Sequence, residues 1–126
     1  NIFKESYVNI ETVLRVPEAH FKQEQDGITA MVTLEYKGSV SQITAKGNGR
    51  LDAVSNAIKN AIGADYKLDT YTEHALEGGH STAEAVSYVG VQDKDGSLVW
   101  GAGINSDIIV SSIKALVSAV NRLLAK

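Results

Sequence analysis

Two short stretches carry residue types that could handle a small anion. Lys46-Gly47-Asn48-Gly49-Arg50-Leu51-Asp52-Ala53-Val54 reads as the end of a strand, a glycine turn and the start of a helix. A turn of this kind exposes backbone N–H groups that have no partner inside the helix, and the helix dipole adds to their attraction for a negative group. Near the C-terminus, Trp100-Gly101-Ala102-Gly103-Ile104-Asn105-Ser106-Asp107-Ile108 repeats the order: Gly-x-Gly, an Asp, then an apolar helical run. The chain reads as two copies of one unit, with function expected at the two turns. The glycine pair is not a dinucleotide fingerprint, which needs a third glycine and a parallel strand-helix-strand context. It is not a P-loop, because no Gly-Lys-Ser/Thr follows. Taken alone, Gly47 and Gly49 are ordinary turn glycines, and duplication copies a structural turn as readily as a binding one.

Other reactive side chains form no constellation. Glu73, His74 and His80 match no zinc spacing, since Glu73 and His74 are neighbours and neighbours on a strand face opposite sides. They read as surface or interface residues, and His20 stands alone. No serine sits in a nucleophile elbow, no spaced carboxylate pair is evident, and cysteine is absent. Catalysis and metal binding within these residues are therefore not expected. Tyr71 either fills core or walls a small pocket floored by the Gly47 turn, and residue types alone leave both open.

The elements that must position these residues follow from periodicity. At 126 residues, 44% hydrophobic and 21% charged, the chain suits one globular domain with its own core. A net charge of -3 without a basic run argues against a nucleic-acid partner. With no long apolar run or signal peptide, no membrane association is expected, and a cytoplasmic protein fits. Asn1 in place of Met suggests a piece of a longer protein. Residues 1–26 read as a linker remnant plus a first strand over Ala19 to Gln25, with Ile2, Phe3 and Tyr7 as a short apolar face. Pro17, the only proline, either stops regular structure or marks an edge.

Residues 27–126 read as the domain proper, duplicated over about 27–63 and 66–124. Ile28, Ala30, Val32, Leu34 and Tyr36 alternate with polar residues, which predicts a half-buried strand. Lys37-Gly38-Ser39 turns it back into Val40 to Ala45. Leu51, Val54, Ala57, Ile58, Ala61 and Ile62 form one helical stripe, Asp52 sits in the first turn, and Gly63 stops the helix. The second half runs Tyr66 to Leu76, a Glu77-Gly78-Gly79-His80 turn, Ala83 to Gln92, an Asp93-Lys94-Asp95-Gly96 turn, and Ser97 to Gly101. The helix Ile108 to Leu124 has an apolar stripe of Ile109, Ile113, Leu116, Val117, Val120, Leu123 and Leu124. Its other face, Ser111, Ser112, Ala115, Ser118 and Ala119, is small enough to admit a second layer or a partner subunit. The predicted class is α+β: two pseudo-symmetric strand-strand-strand-helix units with helices packed on antiparallel sheets. A ligand cleft is expected on the pseudo-two-fold axis.

Four groups of residues in this order resemble a known family. They are Gly47-Asn48-Gly49-Arg50-Leu51-Asp52-Ala53, Thr70-Tyr71-Thr72-Glu73-His74-Ala75, Ala83-Glu84-Ala85-Val86-Ser87-Tyr88-Val89, and Trp100-Gly101-Ala102-Gly103-Ile104 leading to Ser118-Ala119-Val120-Asn121-Arg122. Together they resemble the C-terminal regulatory domain of 2-isopropylmalate synthases, with the citramalate synthase domain as a close relative. The resemblance implies a homodimer that binds leucine, or isoleucine in the relative, and inhibits a distant N-terminal barrel. That barrel would hold the divalent metal and acetyl-CoA, leaving this chain without cofactors. Carried across by position, the leucine pocket would involve Gly47, Asn48, Gly49, Leu51, Asp52, Tyr71, Ala75, Thr82 and Ile108. Arg50 departs from a common proline and Asp52 from an alanine of some members, so Asp52 either receives the ligand's ammonium group or caps the helix. A dimerisation module without a ligand is the alternative.

Overall fold

The computed structural model describes residues 13–76 and 84–125. Strands β1 (Leu14–Glu24), β2 (Gly27–Tyr36) and β3 (Ser39–Gly47) lead into helix α1 (Arg50–Ile62). Strands β4 (Tyr66–Leu76), β5 (Glu84–Asp93) and β6 (Leu98–Asn105) lead into α2 (Ile108–Leu124). Each trio is an antiparallel three-stranded sheet in chain order, so the expected α+β duplication is present. The face expected for Ile2, Phe3 and Tyr7, the Glu77–His80 turn and Thr82 lie outside the described residues.

Local chemistry explains the first unit. Lys37 and Gly38 both take positive φ, 52° and 86°, which gives the two-residue turn whose twist matches antiparallel strands. Ala30, Val32 and Leu34 alternate into the core at 0–1% exposure. The first strand starts earlier than Ala19: it begins at Leu14 and runs through Pro17. Pro17 marks an edge rather than a stop, since β1 is the edge strand and its register slips between Arg15 and Glu18. A bulge on an edge is where the missing N–H costs least. Helix α1 stops at Gly63, whose left-handed φ of 68° lets its N–H bond the Lys59 carbonyl.

In the second unit the sequence-based expectation fails at one strand. Gly101 and Gly103 are not turn residues. They lie inside β6, which continues to Asn105, and the connection to α2 is Ser106-Asp107. The residue that matches Gly47 at the strand end is therefore Asn105. The two glycines serve helix packing. A Cβ on Gly101 would stand 2.3 Å from the Ala119 nitrogen and 2.4 Å from the Ala115 oxygen, and one on Gly103 would stand 2.3 Å from the Ser111 oxygen. The backbone of α2 thus rides directly on β6. Ser111, Ser112, Ala115, Ser118 and Ala119 are all buried. Of the two uses open to this small-residue face, the second layer is the one realised. It is closed within the chain and offers nothing to a partner.

One core joins both units. Ile113, Leu116, Val117 and Val120 of α2 cluster with Val32, Leu34, Val54 and Ile58 of the first unit. Asn121, 2% exposed, fastens α2 to the first strand: its Oδ1 accepts from the backbone nitrogens of Val13 (3.0 Å) and Leu14 (2.8 Å), and its Nδ2 donates to the Leu14 carbonyl (2.9 Å). Tyr66 of β4 is buried against α1, where its hydroxyl receives a hydrogen bond from Ser55 Oγ at 3.0 Å. Burial pushes this hydroxyl from 10.0 up to about 12, partly offset by the Ser55 bond.

Gly103→Ala should therefore lower stability by about 3 kcal/mol or more in urea unfolding, because the new methyl meets helix backbone that cannot move aside. For Tyr66, the folded state favours the neutral phenol. Its contribution is complete below pH 10 and fades as pH rises through about 12. Stability should fall by up to about 1.4 kcal/mol per pH unit over that window, and Tyr66→Phe should remove this component of the slope.

Candidate functional site

The starts of the two helices and the middle of β4 enclose a hollow of about 100 Å³. Arg50 and Leu51 line it from α1, Ile108, Ile109 and Ser112 from α2, and Tyr71 and Glu73 from β4.

A bulge in β4 aims two of these side chains. Leu68 pairs with Val91 and Thr70 with Gly90, so Asp69 is an extra residue without a partner. Residues directly opposite one another share a face of the sheet. Val91, Val89 and Ser87 are fully buried on the helix side of β5. Their partners Leu68, Tyr71 and Glu73 therefore face the helices. In an unbroken strand, Leu68 would share its face with Thr70 and Thr72, and Tyr71 and Glu73 would turn outward. The single extra residue reverses this.

The two helix starts are built differently. At α2, Asp107 is the cap: its Oδ1 accepts from the backbone nitrogens of Ile109 (2.9 Å) and Val110 (3.3 Å), and Asn105 Oδ1 accepts from Asp107 N at 2.9 Å. At α1 the capping position is Gly49, in extended conformation at φ −144°, with no side-chain cap. The first intrahelical bond is donated by Ala53 to Gly49, which leaves the amides of the first turn before it without a helical acceptor. Asp52 does not fill this gap. Its Oδ2 reaches back to the Asn48 nitrogen at 2.9 Å and braces the turn. Gly47 is required here: a Cβ would meet the Ala53 nitrogen at 2.4 Å.

Behind the hollow is a chain of buried hydroxyls. Ser87 Oγ lies 2.7 Å from Ser111 Oγ and 3.2 Å from Ser112 Oγ, and Ser112 Oγ donates to Glu73 Oε2 at 3.5 Å. The floor is thus polar and connected, and Leu51, Ile108, Ile109 and the Tyr71 ring contribute the smaller, apolar share of the lining. Such a space suits a small molecule with a charged or polar end and a short apolar part.

Of the residues named from the sequence, Leu51, Tyr71 and Ile108 meet at this hollow. Gly47, Asn48, Gly49 and Asp52 form the turn immediately before Arg50. Ala75 lies further along β4, opposite Ala85 in the register. Thr82 is outside the described residues. Arg50, Glu73, Ile109 and Ser112 were not named as site residues. Glu73 is exposed, in keeping with a surface or interface reading, and what the residue pattern does not mark is the bulge at Asp69 that turns it toward the helices. Among the described residues no three His, Cys, Asp or Glu side chains are grouped to hold a metal, and no helix is long and apolar enough to cross a membrane.

Comparison with known proteins bears on this geometry. The model of the LeuA allosteric (dimerisation) domain matches residues 1–124. The chain belongs to that family. It is 48% identical over 124 residues to a 2-isopropylmalate synthase of Desulfitobacterium hafniense, covering 98% of this chain and 22% of that protein. A 2-isopropylmalate synthase of Helicobacter hepaticus is 39% identical over 131 residues, covering 98% and 23%. One from Corynebacterium glutamicum is 39% identical over 114 residues, covering 90% and 18%. This LeuA-type domain therefore spans about a fifth of the length of the relatives it matches.

The contrast between the helix starts has a direct consequence. Asp107→Ala should cost about 1 kcal/mol in urea unfolding, because two first-turn amides of α2 lose their acceptor.

Proposed function

We propose that this domain binds leucine in the hollow between the helix starts and transmits feedback inhibition to the catalytic part of a 2-isopropylmalate synthase. That part condenses acetyl-CoA with 2-oxoisovalerate, uses the divalent metal, and supplies the acyltransferase activity; this chain supplies none. The cytoplasm is the compartment that goes with such an enzyme. The observation that carries the reading is the uncapped start of α1 opening beside Leu51, Ile108 and Ile109. An amino-acid carboxylate takes the place that a capping side chain would occupy, with Arg50 beside it. A branched side chain then lies against Leu51, Ile108 and Ile109.

The rim of the hollow supports a homodimer. Tyr71 and Ile108 are 49% and 52% exposed, large apolar side chains at the edge of a binding site. A second copy of the chain covers them and closes the ligand off from water. Inhibition follows if leucine binds one arrangement of the pair better than another, since only differential affinity shifts an equilibrium. Leucine and isoleucine differ in one methyl position, worth roughly 1–3 kcal/mol in a shaped pocket, and the isoleucine-sensing citramalate synthase domain is the rival reading.

Gly49→Asp tests the proposal with little risk to the fold. Gly49 is extended and has nothing within 4 Å of a built Cβ. The new carboxylate caps α1 and leaves stability the same or a few tenths of a kcal/mol higher, while it occupies the anion position. Calorimetry should show saturable leucine binding to a wild-type dimer and none to the variant. Preference for isoleucine would transfer the assignment to the citramalate synthase type, and unchanged leucine binding by Gly49→Asp would overturn the placement at α1.

A further inference from the structure

The hollow carries opposite charges on its two sides. Arg50 lines it from α1 and Glu73 from β4, and the two do not pair with each other. Glu73 is exposed on the helix side of the sheet, where the Asp69 bulge turns it. Its hydrogen bond from Ser112 Oγ is long, 3.5 Å, well beyond the 2.7–2.8 Å usual for such a pair. Ser112 is meanwhile held by Ser87 at 3.2 Å. The carboxylate therefore keeps most of its accepting capacity. Asp52, the other acid near the turn, is already engaged by the Asn48 amide and does not line the hollow.

The geometry points to Glu73 as the receptor for the ammonium group of the ligand, so that the site takes zwitterionic α-amino acids and rejects 2-oxo acids of the same carbon skeleton. This inference rests on the hollow being the leucine site. An ammonium group offers three donors to an acid that has spare lone pairs, and the bond is charge-assisted. A 2-oxo acid instead presents a carbonyl oxygen to the same carboxylate. It offers no donor and meets repulsion, while its own carboxylate and hydrocarbon tail still fit the rest of the hollow. A regulatory site attached to an enzyme that consumes a branched 2-oxo acid gains from this distinction, because 2-oxoisovalerate carries the same carboxylate and a branched tail only one carbon shorter than that of leucine.

The test is calorimetry on this chain with leucine and with 4-methyl-2-oxopentanoate, its deaminated counterpart. The wild type should bind leucine at least about tenfold more tightly than the 2-oxo acid. Glu73→Gln should weaken leucine by about 10- to 100-fold and narrow the gap between the two ligands. Glu73→Asp, which keeps the charge on a shorter arm, should recover part of the loss, and thermal melts of both variants should match the wild type because the side chain is exposed. Leucine affinity unchanged in Glu73→Gln, or equal wild-type affinity for leucine and the 2-oxo acid, would overturn the ammonium assignment while leaving the hollow as the leucine site. Absence of leucine binding to the wild type would overturn the hollow reading, and this assignment with it.

Discussion

The depth at which α2 sits on β6 governs the second unit. Gly101 and Gly103 give up side chains so that helix backbone can touch strand backbone, and the serine and alanine face of α2 fills the remaining space. That contact brings Ser111 and Ser112 within reach of Ser87 on the central strand. It also sets the first turn of α2 beside β4, where Ile108, Ile109 and Ser112 become one side of the hollow. A helix held one side-chain layer further out would leave these hydroxyls buried without partners, at a cost comparable to a lost hydrogen bond for each.

The first unit is attached to this arrangement rather than merely adjacent to it. Asn121 satisfies three backbone groups at the start of β1, and the α2 stripe shares its core with β2 and α1. Neither sheet-helix unit buries its apolar face alone, so the two are one cooperative body. The placement of the hollow follows: a site lined by both helix starts exists only when the units are joined. On the proposed reading, a ligand there would touch both units at once.

The two units have diverged where duplication would predict identity. The strand-to-helix connection is Asn48-Gly49 in one and Ser106-Asp107 in the other. One helix satisfies its own first turn through Asp107, and the other has no side-chain cap at that position. An internal duplication thus yields one structural end and one open end. The rim residues Tyr71 and Ile108 and the charges of Arg50 and Glu73 gather around the open one.

The residue pattern by itself determined the order of elements, the duplication, the inward face of β2, both helix stripes and the stops at Gly38, Gly63 and Gly96. Each of these is a local matter of periodicity or of a backbone angle that one residue type tolerates. It also carried the family resemblance, because four short groups in fixed order survive where any one of them is uninformative. Only the tertiary structure decided what depends on one element meeting another. Gly101 and Gly103 looked like a turn because a glycine needed for a turn and a glycine needed for close helix approach have the same letter. The Asp69 bulge inverted which β4 residues face the helices, and no residue type announces an extra residue whose existence is defined by the pairing of β5. Glu73, a surface or interface residue by its type, is indeed exposed but faces the helices and lines the hollow, while Asp52, which the sequence offered as its charge, was taken by the turn it stands on.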